Sequence, residues 1–123
     1  MSGNLHLLKL SVGSTAVEDL ANWQVTVRER NDAAGFGPIV THNTRMWPKR
    51  EAELVSGGSL YWVIKGVVLV RQPILELKER VGPDGIRRCA IVLSPELFRT
   101  HPQPRRAFQG WRYLKATDAP PDL

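Results

Sequence analysis

Residues 57–77, GGSLYWVIKGVVLVRQPILEL, concentrate aromatic and branched apolar side chains more than any other part of the chain. From Ser59 to Ile64, leucine, tryptophan and isoleucine alternate with tyrosine and valine, so both faces of an extended strand would be apolar. Lys65-Gly66 then interrupts the apolar pattern, and a two-residue hairpin turn needs the positive φ angle that glycine adopts freely. The stretch therefore predicts a buried β-hairpin against which the rest of the chain packs.

The length and composition favour one soluble domain. At 123 residues the chain can bury a core large enough to fold without disulfide bonds or structural metal ions. We therefore expect a single domain over 1–123 with an acidic, proline-rich tail at 116–123. The single cysteine, Cys89, excludes an intramolecular disulfide and suits a reducing compartment. Since no apolar run approaches the roughly 20 residues of a membrane span, we predict a cytoplasmic protein with no membrane partner. We expect a monomer or a weak dimer.

Positive charge is concentrated in one part of the chain. The formal net charge is +5, and residues 45–115 hold 14 of the 17 Lys and Arg residues but 6 of the 12 acidic ones. A basic surplus confined to one region is typical of proteins that bind nucleic acid or phosphate. It is also common among domains that are basic for solubility, so charge alone leaves both interpretations open.

Turn and capping signals divide the remaining chain into short elements. Thr15 to Glu18 has the capping-box pattern of a helix start, and Pro48 suits the first turn of a second, short helix. Phe36, in the loop after the first helix, is expected to tuck back on the core. The predicted elements are strands at 5–12, 39–47 and 108–115, helices at 15–30 and 49–56, and the central hairpin.

The second strand of the hairpin is interrupted at Pro73. Proline cannot donate to a strand ladder, so Pro73 marks a bulge or a bend where the strand changes its sheet partner. Residues 82–85, Gly-Pro-Asp-Gly, predict a four-residue turn, and the register that this turn closes sets Arg80 and Arg87 side by side at an exposed tip. An anion would relieve the repulsion between these two arginines.

The order of the predicted elements indicates the fold class. Helices in the first half of the chain and strands in the second argue for an α+β fold and against a parallel α/β sheet. A strand that bends, as this one does at Pro73, is a means of closing a small barrel. We therefore predict a small, partly open, mixed β-barrel with helices at its ends.

Several strings carry a resemblance to a known family. They are LHLLKL at 5–10, TRMWPKR at 44–50, GGSLYWVIKG at 57–66, Arg71-Gln72, DGIRRC at 84–89, PQPRRAFQGWRYLK at 102–115 and APPDL at 119–123. With these strings the chain resembles a family of small alphaproteobacterial proteins known as domain of unknown function 1489. The resemblance covers nearly the whole chain, is weakest over residues 22–43, and implies no activity.

A more distant likeness concerns the architecture. The hairpin followed by a long bent strand is similar to the element order of the PUA-like superfamily, which includes the ASCH and EVE domains. Those domains are small pseudo-barrels that bind RNA, modified bases or nucleotides in a basic, aromatic-lined cleft. The resemblance implies a cleft of the same kind here, and it is an analogy of fold.

The sequence lacks the patterns of a metal or cofactor site. His6, His42, His101 and Cys89 do not have metal-ligand spacing, so we expect no bound metal. Gly57-Gly58 lacks the further glycines and the lysine of a phosphate-binding loop. We therefore predict no cofactor, and we assign no catalytic residue.

Basic and aromatic side chains alternate in two parts of the chain. Guanidinium groups offer paired donors to phosphate, while Trp and Tyr rings offer faces on which unpaired bases stack. Arg45 and Trp47 would share a strand face, beside the free N–H groups that begin the helix after Pro48. Trp111 is the preferred stacking surface and Arg112 a less certain member. The candidate nucleic-acid-binding residues are Arg45, Trp47, Lys49, Arg50, Arg105, Arg106, Trp111 and Arg112.

Three hypotheses about function follow. The first is a nucleic-acid-binding module that takes RNA, or a modified or flipped base, in a basic aromatic cleft. The second is a small ASCH-like enzyme acting on a nucleoside or nucleotide, which needs a carboxylate or lysine of shifted pKa in that cleft. The third is a protein-interaction module, because Trp, Tyr and Arg also make interface hot spots.

Overall fold

The computed structural model describes residues 5–123, which form seven β-strands and two α-helices. The fold is α+β, as the sequence predicts. A single 3-10 turn at Ala116–Asp118 follows the last strand. The strands are β1 Leu5–Leu10, β2 Val40–Thr44, β3 Ser59–Ile64, β4 Val67–Val81, β5 Arg87–Leu93, β6 Phe98–Pro104 and β7 Trp111–Lys115, and the helices are α1 Val17–Ala33 and α2 Glu51–Val55.

The central hairpin, β3 with β4, forms as predicted. All residues of β3 are buried, which agrees with apolar side chains on both of its faces. Lys65 and Gly66 make the two-residue turn, with φ angles of 51° and 79°. Lys65 is the one residue other than glycine with a positive φ in the described range, so the turn holds it in a conformation that lysine rarely adopts.

The seven strands form one mixed sheet in the order β2-β5-β4-β3-β1-β7, with β6 paired to β4. β1 and β3 run parallel, and the remaining neighbours run antiparallel. The parallel pair needs a crossover, which α1, β2 and α2 supply. No ladder joins the edge strands β2 and β7 within residues 5–123, so the sheet is open and a barrel is not confirmed.

β4 changes its partner at Pro73, as the sequence predicts. Its first half pairs with β3, and Ser59 opposite Pro73 is the last pair. Its second half pairs with β5, starting from Ile74 opposite Leu93. β6 continues along the edge that β5 occupies, so the first half of β4 has neighbours on both sides.

Several predicted boundaries are wrong by up to three residues, among them the start of α1 and the end of β2. α1 begins at Val17, and the carboxylate of Asp19, rather than that of Glu18, accepts the backbone N–H groups ahead of the helix at 2.9 and 3.2 Å. β2 ends at Thr44, whose partner in β5 is Cys89. The chain after Thr44 leaves the ladder, and this removes Arg45 and Trp47 from the strand.

The end of the chain folds back on β6. The N–H of His101 donates to the carbonyl of Pro121 at 2.9 Å, and the N–H of Leu123 donates to the carbonyl of Arg99 at 3.0 Å. Residues 119–123, which we call the C-terminal segment, therefore lie along the edge of β6 that faces away from β4.

Two apolar clusters lie on opposite faces of the sheet. The larger cluster includes Leu7 and Leu60, and the face that carries it is called the inner face. The smaller cluster includes Leu8 and Tyr61 on the outer face. Leu54 of α2 and the first turns of α1 belong to the larger cluster, so both helices cover the inner face. Neither helix has the length and apolar character that crossing a bilayer requires.

Candidate nucleic-acid interface

The structure separates Arg45 from Trp47, and the prediction that they share a strand face is wrong. Both residues lie beyond Thr44, the last residue of β2. Trp47 turns to the inner face, where it packs half-buried against the core and lies 4.6 Å, ring centre to Cζ, from the guanidinium of Arg87. Arg45 is exposed on the outer face, in a cleft that Arg80 also lines. The two side chains therefore cannot hold one base between them.

Two backbone N–H groups just before α2 are already occupied. The backbone N–H groups of Lys49 and Arg50 donate to the hydroxyl of Tyr113, at 3.0 and 3.3 Å. The Arg50 guanidinium pairs with Glu53 and lies 5.7 Å from the centre of the Tyr113 ring. Because these two donors have a partner and α2 begins only at Glu51, the expectation that Lys49 opens the helix with free N–H groups is wrong.

Trp111 is part of the core. It is 8% exposed, and its Nε1–H donates to the carbonyl of Met46 at 3.0 Å. The expectation that it offers an open stacking surface is therefore wrong, because packing uses both its ring and its N–H group. Arg112 points to the opposite face, as predicted, where its guanidinium donates to the carbonyl of Gln109 at 2.7 Å and lies over Phe108.

Arg105 and Arg106 lie at the far end of β4 from Arg80. The N–H of Arg105 donates to the carbonyl of Gly66 in the hairpin turn at 2.8 Å. β4 has 15 residues, and at about 3.3 Å a residue it extends over roughly 45 Å. Arg105 and Arg106 therefore do not form one small site with Arg45.

Three arginines meet on the outer face at the tip of the β4–β5 hairpin. Arg80 and Arg88 lie directly opposite each other in the ladder, and Arg45 follows the end of the neighbouring strand β2. Together with Phe36 and Asn43 they line an open cleft of about 440 Å³. We call this group of five residues the arginine cleft. Of its members, only Arg45 is a candidate binding residue from the sequence.

The prediction that Arg80 and Arg87 lie side by side at this tip is wrong, and Arg88 takes the place of Arg87. Val81 pairs with Arg87, so the loop is one residue longer than the four-residue turn that the sequence suggests. A shift of one residue exchanges the faces of a strand. Arg88 therefore lies opposite Arg80, while Arg87 points to the inner face and pairs with Glu79.

The cleft holds more positive charge than its own carboxylate neutralises. The Arg88 guanidinium donates two hydrogen bonds to Asp84, at 3.1 and 2.9 Å, and this pairing lowers the pKa of Asp84 to about 2. Arg45 and Arg80 form no ion pair with any carboxylate of residues 5–123. Two cations therefore face the cleft without an acidic partner in the described chain.

Phe36 adds an aromatic surface to these cations. It is 50% exposed, so the expectation that it tucks back on the core is wrong. The Cζ atom of Arg80 lies 3.5 Å from the centre of the Phe36 ring, and burial lowers the pKa of this guanidinium. A guanidinium held over a ring keeps its edge donors for phosphate and can itself stack on a base.

Three aspartates of the described chain are held in the ionised form. The pKa values of Asp19, Asp84 and Asp122 are all lowered, mainly by hydrogen bonds from Thr15, Arg88 and Arg71 respectively, so these carboxylates stay ionised at neutral pH. Among the residues that the structure describes, no group of three or more His, Cys, Asp and Glu side chains is placed to hold a metal ion.

Comparison with known proteins gives one match. A family model described as protein of unknown function, DUF1489, matches residues 7–123. Searches of curated proteins and of solved structures gave no match, so the likeness to PUA-like domains has no support from them.

Proposed function

The chain belongs to the DUF1489 family, whose description assigns no activity, and from the site itself we propose that it is a nucleic-acid-binding module. The ligand is single-stranded RNA, or a modified or flipped base, held at the arginine cleft. One observation carries the proposal: Arg45 and Arg80 lack acidic partners in the described chain and stand beside an exposed phenylalanine ring. Single-strand binders combine unpaired cations with aromatic surfaces in this way.

The shape of the cleft favours an unpaired nucleotide over a duplex. Its volume of about 440 Å³ lies in the range of pockets that enclose small ligands. The Arg80 guanidinium stacked on Phe36 offers a flat surface to a base, and the amide of Asn43 offers both a donor and an acceptor to a base edge. In a duplex, stacking and pairing hide these parts of the base, so the cleft suits a base that has left the helix.

We also propose that the sheet is a partly open barrel of the PUA-like kind. The support comes from side-chain hydrogen bonds between β7 and the residues that follow β2. These bonds connect the two edges of the sheet, although no strand ladder joins them in the described chain. Trp111 and Tyr113 of β7 bond to the backbone of Met46, Lys49 and Arg50, which follow β2. These bonds bring the first and last strands of the sheet order together, as a barrel requires.

Binding of a fluorescent single-stranded RNA, followed by anisotropy at several salt concentrations, tests the proposal. Arg80→Gln should weaken binding about tenfold, and it should reduce the salt slope by roughly 0.7 for each phosphate that the variant no longer neutralises. Folding should be retained, because Arg80 faces a like charge in Arg88 and its removal relieves repulsion. Arg106→Gln is the matched control, since this exposed arginine lies at the other end of β4.

Two results would contradict the proposal. The first is an Arg80→Gln variant that binds RNA as tightly as the parent and with the same salt dependence. The second is an equal loss of affinity in Arg106→Gln, which would indicate diffuse attraction by the whole basic surface. Light scattering on the same samples addresses the protein-interaction hypothesis, because a stoichiometric dimer without RNA binding would favour it.

A further inference from the structure

A second polar recess lies on the outer face, outside the arginine cleft. Its floor comes from the starts of β1 and β3 and from the first half of β4, and the C-terminal segment forms one wall. The recess has a volume of about 370 Å³. Its polar side chains are His6, Ser59, Tyr61, Arg71 and Asp122.

The neutral side chains of the recess offer hydrogen-bond donors. The backbone N–H of Ser59 donates to Nδ1 of His6 at 2.9 Å, so the proton of the neutral imidazole lies on Nε2. Burial lowers the pKa of His6 and raises that of Tyr61, which keeps the imidazole neutral and the phenol protonated. Neither His6 Nε2 nor the Tyr61 hydroxyl bonds to another residue of the described chain. Both N–H and O–H groups are therefore free to donate to an occupant.

Arg71 is fixed in position before any ligand arrives. One terminal nitrogen donates to the Ser59 hydroxyl at 3.0 Å, and the guanidinium lies 4.5 Å from the centre of the Phe98 ring. Its other two nitrogens, Nε and Nη2, donate to the two carboxylate oxygens of Asp122, each at 2.8 Å. This two-point geometry is the one in which arginine recognises carboxylates and phosphates. Asp122 therefore fills a preformed oxyanion receptor.

The bonds that hold Asp122 there are few. The segment is attached to β6 by the two backbone hydrogen bonds of His101 and Leu123. The ion pair itself is accessible to water, because 24% of the Arg71 side chain and 43% of the Asp122 side chain are exposed. Salt in the solvent can therefore screen the attraction between the two side chains. An external anion can therefore compete with Asp122 for the Arg71 guanidinium.

We propose that this recess is a binding site for a small oxyanion, a carboxylate or a phosphate monoester, and that Asp122 is its displaceable internal occupant. Arg71 holds the two oxygens of the ligand, while Tyr61 and His6 donate to the oxygens that remain. The C-terminal segment moves off β6 when the ligand enters. The site is independent of RNA binding at the arginine cleft.

Titration of the ¹⁵N-labelled protein with inorganic phosphate, and separately with succinate, tests the proposal by NMR. The amide signals of Ser59, His101 and Leu123 should shift and saturate, because they report on the recess and on the two bonds of the segment. Asp122→Ala should bind the anion about fivefold more tightly, since the competing carboxylate is gone. Tyr61→Phe should bind it about tenfold more weakly while keeping the packing of the ring.

The two anions separate the sources of the ligand. Saturation by phosphate alone would identify a phosphate monoester site, and saturation by succinate alone a carboxylate site. Arg99 lies on the neighbouring strand β6 and forms an exposed ion pair with Glu18 of α1. Arg99→Gln removes this pair, and as the matched control it should leave binding unchanged. Arg80→Gln should also leave the anion-induced shifts of the Ser59, His101 and Leu123 amides unchanged. The anion test therefore does not depend on whether the arginine cleft binds RNA.

Two outcomes would overturn the proposal. One is the absence of saturable shifts at these amides with either anion, in both the parent protein and Asp122→Ala. The other is anion binding that persists at parental affinity in Tyr61→Phe and in Arg71→Gln. If Arg71→Gln does not fold, Tyr61→Phe decides alone, because it removes a hydroxyl that makes no hydrogen bond within residues 5–123.

Discussion

Replacing Gln72 with leucine tests how α1 is attached to the sheet. Gln72 has 0% exposed surface, and its amide makes four hydrogen bonds. It exchanges two bonds of 2.8 Å with the amide of Gln24 in α1, accepts from Trp62 Nε1 at 3.1 Å, and donates to the carbonyl of Ser94 at 2.7 Å. Leucine keeps the approximate volume of the side chain and removes all of these bonds.

The magnitude follows from the groups that lose their partner. In Gln72→Leu, both amide atoms of Gln24, the indole N–H of Trp62 and the carbonyl of Ser94 are left unpaired. Each unsatisfied buried group costs about 1–3 kcal/mol, so we expect a loss of about 4 kcal/mol or more from a total of about 5–15 kcal/mol. Gln24→Leu should cost about 1–2 kcal/mol, because each amide atom of Gln72 then keeps one partner.

Urea unfolding of the single and double variants measures the effect. The double variant removes the orphaned Gln24 amide as well, so it should be about 2 kcal/mol more stable than Gln72→Leu alone. Gln109→Leu, at an exposed glutamine, is the control and should change the free energy of unfolding by less than about 0.5 kcal/mol. Additive losses from Gln24→Leu and Gln72→Leu would refute the reciprocal amide pair.

Three further changes test other parts of the structure by urea unfolding. Burial lowers the pKa of His42 from 6.5 to about 4, so the free energy of unfolding should be highest above pH 6.5 and fall by up to about 3 kcal/mol as the pH drops to about 4. His42→Phe should remove this pH dependence. An unchanged dependence of the unfolding free energy on pH in the variant would contradict the prediction. Lys65→Asn should stabilise by about 0.5 kcal/mol, because asparagine tolerates the positive φ of the turn better, and a loss of stability would mean that the lysine side chain has a structural role. Tyr113→Phe should cost about 1 kcal/mol or less, because water can replace the hydroxyl at the partly exposed N–H groups of Lys49 and Arg50, and a larger cost would show that the sheet edges depend on this bond.

The central hairpin could be predicted because its signals are local. The residues of β3 are apolar on both faces, the turn contains Gly66, and Pro73 interrupts the ladder within the same stretch. None of these inferences requires knowledge of a distant residue. The same holds for α1, where the capping box is displaced by one residue because two acidic side chains, Glu18 and Asp19, stand in consecutive positions.

The arginine cleft could not be predicted as a unit, because its members come from four parts of the chain. Phe36 is apolar, which favours a core position, and no sequence signal shows that a guanidinium covers it. The position of Arg88 opposite Arg80 could not be predicted, because the Gly-Pro-Asp-Gly pattern alone does not give the length of the loop that sets the strand register. Trp111 is wrongly expected to form a binding surface because its structural partner is remote in the sequence. This partner, the carbonyl of Met46, is 65 residues away along the chain.

A bulge at Leu75 places both candidate sites on the outer face. Arg71 and Arg80 are nine residues apart, and in a regular strand an odd separation sends two side chains to opposite faces. Just after Pro73, the register between β4 and β5 shifts by one residue, and Leu75 is left exposed without a partner. Because of this extra residue, the side chains in the second half of β4 exchange faces. Leu77 therefore lies in the inner core, while Arg80 lies on the outer face with Arg71. A strand without this bulge would turn Leu77 to the outer face and Arg80 to the inner face, so one irregular residue reconciles the core with two basic sites on one side of the sheet.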